Sequence, residues 1–412
     1  RRADILTGMQ AAMGSLPVRD QWPDFDLQQT AEQPGDGYVR KTYTFAVEAG
    51  DRLPIDLYLP SGIAEGERRP AVLALHPTGA LGKRIVAGEG PNPNRQYAVE
   101  LAQRGYVVIA PDYPSFGESA DYDFAADDYA SGTMKGIVNH RRCVDLLQSL
   151  PQVDPERIGV IGHSLGGHNA MYVAAFDERI KAIVSSCGWD PFHYYYGGKL
   201  TGWTSDRYMP RIRDVYGLDP DKVPFDFYEV VAALAPRPFL SCSPTEDSNF
   251  DVQGVEKAID RAREVYRLLG ATDALQLRTP KCAHDFPTEM RQTSYAFLDR
   301  ALNHEPTGSI DFSSELPRIA PLDPAEGLAS IETLPGYEVQ QTAAEPLVVD
   351  PVAMCFDARG RLYVIEMRDY SEQENERLGR VSLLTDKDGD GFWDESVVFA
   401  EDLSWPTAIT CY

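Results

Sequence analysis

The sequence predicts an α/β fold in which helices flank a mostly parallel central sheet, with an aromatic-rich insertion and a small C-terminal all-β extension. Short apolar runs alternate with helix-compatible stretches, a long aromatic segment interrupts this alternation, and the composition changes near residue 305. The predicted strands are 71–75, 180–186, 238–242 and 274–278, and the later predicted helices are 252–269 and 288–302.

The most informative motif is Gly162-His163-Ser164-Leu165-Gly166. A short apolar strand leads into it and a small-residue helical stretch follows, which is the strand–turn–helix context of a G-x-S-x-G nucleophile elbow. The two glycines are expected because a side chain at either position would collide with the neighbouring backbone. The motif therefore predicts Ser164 as a nucleophile, and the alternative is a Gly/Ser loop after a buried strand.

A serine nucleophile of this kind needs a base, and His284 has the position for it. It follows the strand 274–278 and precedes the helix 288–302, in the chain order Ser, acid, His. His163 sits within the elbow and is expected to pack beside the serine at the substrate pocket. The remaining histidines have other expected positions: a structural one for His168, solvated faces for His140 and His304, and the aromatic segment for His193.

The acid of the triad is expected from the loop after the strand 238–242. Asp247 is favoured over the adjacent Glu246, because a shorter side chain is held more tightly beside the Nδ1–H of the histidine. Asp190, at the end of the preceding strand, is a third candidate. In each case the carboxylate would orient His284, which would take the proton of Ser164.

Two backbone N–H groups should stabilise the tetrahedral intermediate. Leu165 is one expected donor, since it follows the nucleophile at a helix N-terminus. The other should come from the loop after the strand 71–75, where Pro77 has no N–H. Thr78 is therefore the expected donor, with Gly79 as the alternative, and His76 is expected to shape this loop beside the substrate pocket.

With these residues in place, the chain resembles the α/β-hydrolase superfamily, specifically serine esterases near dienelactone hydrolases, acetyl xylan esterases and acylaminoacyl-peptidase-like enzymes. The resemblance covers residues 38–303 and is carried by residues 106–118, 154–164 and 235–238. It implies hydrolysis of an ester or amide without a cofactor. Many relatives have His-Gly at the start of this loop, whereas this chain has Pro77 after His76. This difference affects only the identity of the second oxyanion donor.

The segment 188–231 is too long for a simple connection and is rich in aromatic residues. In this superfamily an insertion here commonly forms a cap over the nucleophile. Its aromatic side chains are expected either to line the substrate pocket or to form the core of the cap itself. The pocket candidates are Trp189, Tyr195 and Trp203.

Composition restricts the function classes. The chain has 412 residues, 43% hydrophobic and 25% charged, and a net charge of −24 that disfavours nucleic acid as a partner. It has no apolar run of about eighteen residues, so we expect no membrane span. We expect a periplasmic or secreted protein in preference to a cytoplasmic one.

Cys242 and Cys282, near the ends of successive predicted strands, form either a disulfide or two buried thiols.

The predicted domains are an N-terminal extension (1–37), a hydrolase domain (38–304), a linker (305–329) and a β extension (330–412). Strand patterns at 337–342, 352–357, 361–367, 379–384 and 396–400 resemble the first blade of sugar-dehydrogenase-like β-propellers. A blade without neighbours has uncovered faces and edges. We therefore expect it to pack against its own hydrolase domain or against another subunit in a homo-oligomer.

Within the extension, residues 386–394 match the first half of a D-x-D-x-D-G calcium loop. Its twelfth position is Val397 instead of Glu, so the motif predicts either a structural calcium site or a solvated hairpin turn. The calcium ligands would be Asp386, Asp388, Asp390 and Asp394.

Taken together, the residues predict a serine carboxylesterase that acts on small-molecule esters, with a short acyl group, through an acyl-enzyme intermediate. The alternatives are a serine peptidase of the acylaminoacyl-peptidase type and a non-catalytic binding module.

Overall fold

The computed structural model describes residues 1–18, 22–307, 322–334, 336–368 and 377–411. The chain divides into two compact units, Arg1–Glu315 and Leu316–Tyr412. Residues 308–321, which make up most of the predicted linker, lie outside the described residues.

Within the described residues, the larger unit contains a nine-stranded sheet in the order β1-β2-β3-β5-β4-β6-β7-β8-β9. The strands from β5 to β9 pair in parallel, whereas β1, β2 and β3 extend the sheet antiparallel. The mostly parallel sheet is thus confirmed. The strands are β1 (Gln28–Gly35), β2 (Tyr38–Glu48), β3 (Asp51–Pro60), β4 (Arg69–Leu75), β5 (Val107–Pro111), β6 (Val153–His163), β7 (Ile180–Ser186), β8 (Phe239–Cys242) and β9 (Leu275–Arg278).

Helices cover both faces of this sheet. They are α1 (Arg2–Met13), α2 (Tyr97–Gln103), α3 (Gly132–Ser149), α4 (Leu165–Phe176), α5 (Arg211–Asp214), α6 (Phe227–Leu234), α7 (Val252–Leu268) and α8 (Thr288–Ala301). Short 3-10 helices lie at Gly82–Ala87, Gly117–Ser119, Tyr195–Gly197, Leu200–Trp203 and Thr272–Ala274. The segment between β7 and β8, where the insertion is predicted, contains two of these 3-10 helices together with α5 and α6, joined by turns and loops.

The core has one layer on each side of the sheet. Successive residues of β4 alternate between them: Leu73 packs in the layer that includes α3, α4 and α7, and Val72 packs in the layer that includes α2 and α8. Because side chains along a strand point to opposite faces, a strand covered on both sides has to be apolar throughout. This explains why the strands of the sequence read as continuous apolar runs.

The N-terminal residues belong to the larger unit and do not form a separate extension. Met9 and Met13 of α1 are fully buried in the main core. Strand β1 pairs with β2 from Gln28 opposite Thr44 to Gly35 opposite Tyr38. The predicted domain boundary at residue 38 therefore falls between β1 and β2, which pair in one sheet.

The smaller unit contains α9 (Pro324–Ala329) and a four-stranded antiparallel sheet in the order β10-β11-β12-β13 within the described residues. The strands are β10 (Pro351–Phe356), β11 (Leu362–Glu366), β12 (Gly379–Thr385) and β13 (Glu395–Leu403). The strand predicted at 337–342 is wrong: this described segment pairs with no other strand, and Tyr337 is 75% exposed. The likeness to a propeller blade and the expected homo-oligomer stay predictions.

Two smaller expectations can be compared with the structure. Every helix in the described parts of the chain is too short or too polar to cross a membrane. Cys242 and Cys282 are free thiols, the first buried and the second half-buried, so the alternative of a disulfide does not hold. Cys242 instead contacts the hydroxyl of Ser294 at 3.7 Å.

A buried ion pair fixes the loop after β4 to the end of β5. The Lys83 ammonium lies 2.8 Å from Asp112 Oδ2, and the Lys83 backbone N–H donates to Asp112 Oδ1, also at 2.8 Å. Their side chains are 2% and 0% exposed. Burial lowers the pKa of Lys83, but the carboxylates of Asp112 and Glu118 raise it above its usual value. Lys83 is therefore charged, and the ion pair positions the loop that carries Thr78.

Replacing Lys83 by Met should lower the free energy of unfolding by roughly 3–5 kcal/mol, because Asp112 would remain buried without its counter-charge. The matched control is Lys222→Met. Lys222 is 67% exposed in its pair with Asp219, so this change should cost less than about 1 kcal/mol. Urea unfolding of both variants measures the difference, and equal losses would contradict the assigned role of the buried pair.

Candidate active site

Ser164 lies on a sharp turn between β6 and α4. Its backbone adopts φ 55° and ψ −118°, a strained conformation for a non-glycine residue. A Cβ atom added to Gly162 would lie 2.1 Å from the Gly166 carbonyl oxygen, and one added to Gly166 would lie 1.9 Å from the Leu75 carbonyl oxygen. The turn therefore requires glycine at both positions, as the motif predicts, and it raises Ser164 above the end of the sheet.

His284 meets Ser164 from the loop between β9 and α8. Its Nε2 lies 2.9 Å from Ser164 Oγ, and its Nδ1 lies 2.9 Å from Asp247 Oδ2. Because a carboxylate only accepts, this pattern assigns the proton to Nδ1 and leaves Nε2 to accept the serine hydroxyl. The structure thus joins Ser164, His284 and Asp247 in one chain of hydrogen bonds, while their catalytic roles stay predictions.

Asp247, and not Glu246 or Asp190, contacts the histidine. The Asp247 side chain is 1% exposed and also accepts the Asn249 backbone N–H at 2.8 Å. Glu246 is exposed. Asp190 is fully buried and accepts the Asp251 backbone N–H at 2.9 Å, while its Oδ1 has no hydrogen-bond partner in the described part of the chain.

The expected oxyanion donors flank the serine. Leu165 is the first residue of α4, and Thr78 lies in the loop after β4. His76 shapes this loop from behind: its Nδ1 donates to the Pro77 carbonyl at 2.7 Å, and its Nε2 accepts the Tyr113 backbone N–H at 2.9 Å. Burial lowers the pKa of His76, so its ring is neutral. The oxyanion assignment stays a prediction.

Two cavities open at Ser164, and Thr78 and Asn249 also line both of them. The first, which we call the His284 lobe, has a volume of about 470 Å³. The second, the aromatic lobe, has a volume of about 290 Å³. The His284 lobe is otherwise lined by Pro77, Gly79, Ala80, Leu81, Ile85, Glu89, Pro91, Asn92, Arg95, His163 and His284. The aromatic lobe is otherwise lined by Leu165, His168, Tyr195, Gly202, Trp203, Tyr208 and Phe250.

Among the predicted pocket residues, Tyr195 and Trp203 line the aromatic lobe and His163 lines the His284 lobe. His163 Nδ1 lies 3.0 Å from the hydroxyl of Ser186. Burial, together with the nearby positive charge of Arg95, lowers the pKa of His163 well below its usual value. It is therefore a neutral neighbour of His284.

Two predicted pocket residues line neither lobe. Trp189 is 1% exposed, donates from Nε1 to the Ser241 hydroxyl at 3.1 Å, and stacks on Phe227 with ring centroids 5.9 Å apart. It belongs to the core of the insertion, the alternative that the sequence had left open. His76 lies behind the loop and is 3% exposed.

Sequence reasoning missed several lining residues. His168, expected to be structural, lies four residues after Ser164 on α4, so helical periodicity could have placed it on the same face. Its Nδ1 donates to the Gly188 carbonyl at 3.1 Å, and burial lowers its pKa to about 3. Tyr208 belongs to the aromatic residues of the insertion, which were expected either to line the pocket or to form the core of the cap, and it lines the aromatic lobe. No local signal marks Arg95 or Phe250, because only the tertiary fold brings them to Ser164.

A group of possible metal ligands lies within the same site. Cys187, Asp247 and His284 each offer an atom within 4.8 Å of the others. However, the Cys187 thiol donates to the Asp285 carbonyl at 3.2 Å, and burial raises its pKa well above the usual value. A metal ligand must be a thiolate, so this protonated cysteine does not suit metal binding.

The predicted calcium loop connects β12 to β13. Carboxylate atoms of Asp386, Asp388 and Asp394 lie within 4.8 Å of one another, without Asp390. Asp386 accepts the backbone N–H groups of Gly389 and Gly391, and Asp394 accepts that of Lys387. These bonds are those of a solvated hairpin turn, so the structure offers no support for the calcium expectation.

Several known proteins are similar to this chain in sequence or in fold. A family model described as "Alpha/beta hydrolase family" matches residues 85–359, and a domain of unknown function (DUF7133) matches residues 323–412. YtaP of Bacillus subtilis (strain 168), whose name assigns it only to the hydrolases, is 28% identical over 243 residues, or 57% of this chain and 79% of that protein.

Two further similarities involve named esterases. The 4-O-methyl-glucuronoyl methylesterase 1 of Wolfiporia cocos (strain MD-104) is 26% identical over 338 residues, or 75% of this chain and 76% of that protein. A glucuronoyl esterase structure from Solibacter usitatus has a TM-score of 0.59 at 20% identity and covers 73% of this chain and 92% of that chain. The latter likeness concerns the fold alone.

The buried Asp190 carboxyl should make the larger unit less stable as the pH rises. Burial, reinforced by the nearby carboxylates of Asp251, Asp226 and Asp247, raises its pKa from 3.8 to about 8. The folded protein thus keeps a proton that the unfolded chain releases, so stability present below pH 3.8 is lost as the pH rises toward 8. Asp190→Asn should remove part of the decline in unfolding midpoint between pH 5 and pH 8.

The control for this measurement is Asp260→Asn, since the Asp260 side chain is 78% exposed. It should keep the decline of the unaltered protein. If Asp190→Asn shows the same decline as the control, the buried carboxyl does not set this pH dependence.

Proposed function

Because the chain belongs to the alpha/beta hydrolase family and is an ester-bond hydrolase, we propose that it is a serine carboxylesterase that acts through Ser164, His284 and Asp247. One observation carries the proposal. The chain of hydrogen bonds from Asp247 through His284 to Ser164 ends at the point where two substrate-sized cavities meet.

In the first step, His284 Nε2 takes the proton of Ser164 as the serine oxygen forms a bond to the acyl carbon. The negative charge of Asp247 stabilises the resulting imidazolium and holds the ring in place. The carbonyl oxygen becomes an oxyanion beside the backbone N–H groups of Leu165 and Thr78, whose dipoles stabilise it.

The second step distinguishes the two lobes. When the ester C–O bond breaks, the leaving alcohol takes the proton from His284 Nε2, so the alcohol has to lie next to the imidazole. His284 lines one lobe and not the other. The His284 lobe therefore receives the alcohol and the aromatic lobe receives the acyl group. A water molecule then enters on the alcohol side and releases the acid by the same proton transfers in reverse.

Esters of carbohydrates are the proposed substrate class. The sequence favours a short acyl group, which would place a sugar alcohol in the larger His284 lobe. A second candidate is the ester of a sugar acid, as in the names of the Wolfiporia and Solibacter relatives. The ring-lined aromatic lobe favours it, because at about 290 Å³ it exceeds the needs of an acetyl group.

Ser164→Ala should abolish ester hydrolysis, with a loss on the order of 10⁴-fold or more in kcat, because no other hydroxyl occupies the turn. The assay should compare 4-nitrophenyl acetate, a methyl hexuronate ester and an aminoacyl anilide. If the protein hydrolyses neither ester, the esterase proposal is refuted. A preference for the anilide would favour the peptidase alternative. Full activity in the Ser164→Ala variant would refute the role of Ser164 as the nucleophile.

Asp247→Asn should lower kcat by about 10³- to 10⁴-fold, because the amide no longer favours the reactive tautomer of His284. Glu246→Gln and Asp190→Asn are matched controls, since each removes one neighbouring carboxyl group that does not contact His284. Steady-state kinetics on the preferred ester tests all three. A larger loss in either control than in Asp247→Asn would transfer the role of the acid to that residue.

A further inference from the structure

The loop that carries His284 is held by Arg95, a residue from the loop that precedes α2. Arg95 Nη2 donates to the His284 carbonyl oxygen at 3.2 Å, and Nη1 lies 2.6 Å from Asp285 Oδ1. Its side chain is 8% exposed, and it lines the His284 lobe together with Ser164. One guanidinium thus contacts both the backbone of the base and the side chain that follows it.

Asp285 completes this contact. Its Oδ2 accepts Asn94 Nδ2 at 2.7 Å, and its carbonyl accepts the Cys187 thiol at 3.2 Å. Partial burial raises the pKa of the Asp285 carboxyl, but the hydrogen bonds from Arg95 and Asn94 hold it below its usual value. Asp285 is therefore ionised, and a full ion pair lies beside the catalytic base.

We propose that Arg95 is a positioning residue for His284, and that Arg95 and Asp285 together form a charge-balanced clamp on the base. The proposal rests on the esterase function proposed above. Arg95 fixes the backbone from which the imidazole projects toward Ser164. The opposite charges of Arg95 and Asp285 cancel at the imidazole, which leaves Asp247 as its uncompensated charged neighbour.

The other described groups that face the imidazole fit this reading. They are Ser164 from the elbow, His163 from the end of β6, Cys187 after β7, and Asp247 and Phe250 after β8. His163 is neutral and the Cys187 thiol is protonated. The charge of Arg95 also reaches His163, whose pKa it helps to lower, and the His163 ring lies 5.0 Å from the His284 ring between centroids.

The test is the acid limb of the pH profile of kcat/KM. In Arg95→Met the uncompensated Asp285 should favour the imidazolium and move the limb to higher pH by roughly half a unit. In Asp285→Asn the uncompensated Arg95 should move it to lower pH by a similar amount. The double variant should return close to the original limb. A purely structural role would lower activity without opposite shifts.

Positioning and charge can be separated with Arg95→Lys. It keeps the positive charge but loses the two-point contact, so the acid limb should stay in place while kcat falls about 10-fold or more. Arg267→Met is the control for Arg95→Met, because it also removes one positive charge, and Arg267 is 64% exposed and forms an ion pair with Glu264 on α7. It should leave both the limb and kcat unchanged. Thermal unfolding of each variant confirms that it folds.

The outcomes separate this proposal from the function on which it rests. Suppose that the protein is active and that Ser164→Ala inactivates it. If Arg95→Met and Asp285→Asn then have the same acid limb, the clamp is overturned and the esterase proposal stands. Unchanged kcat in Arg95→Lys would overturn the positioning role. Absence of ester hydrolysis in the unaltered protein would refute the esterase first. Opposite shifts with a loss of kcat would support the clamp.

Discussion

The turn at Ser164 is the constraint on which the site depends. A residue with φ 55° is strained, and it is held there because β6 and α4 are both anchored in the core. The backbone crossing leaves no space for a side chain at Gly162 or Gly166. This crowding places the serine oxygen above the carboxyl end of the parallel strands, where loops from neighbouring strands can reach it.

The rest of the site follows from the order of those strands. β6, β7, β8 and β9 are neighbours in the parallel sheet, so the loops after β8 and β9 bring Asp247 and His284 to Ser164. Charge is then distributed unevenly around the histidine. Asp247 faces it directly, whereas His76, His163 and the Cys187 thiol are buried without charge and therefore add no competing field.

The sequence was informative wherever chemistry requires one residue type at one position. Steric crowding requires the two glycines of the elbow, and the chain order of Ser164, Asp247 and His284 follows the strand order. It was less informative where a residue could serve two purposes. Trp189 and Trp203 are both aromatic residues of one insertion, yet the first packs in the core and the second lines a lobe. Local pattern does not contain that distinction.

The sequence by itself determined the parallel sheet, the sharp turn at Ser164 and the candidate base, because these depend on local periodicity and on sterics within a few residues. Only the tertiary structure decided that β1 joins the main sheet, that residues 337–342 form no strand, and that Arg95 meets His284. These contacts join residues far apart in the chain. Which distant surfaces meet depends on the packing of the whole core, and short-range patterns carry no record of it.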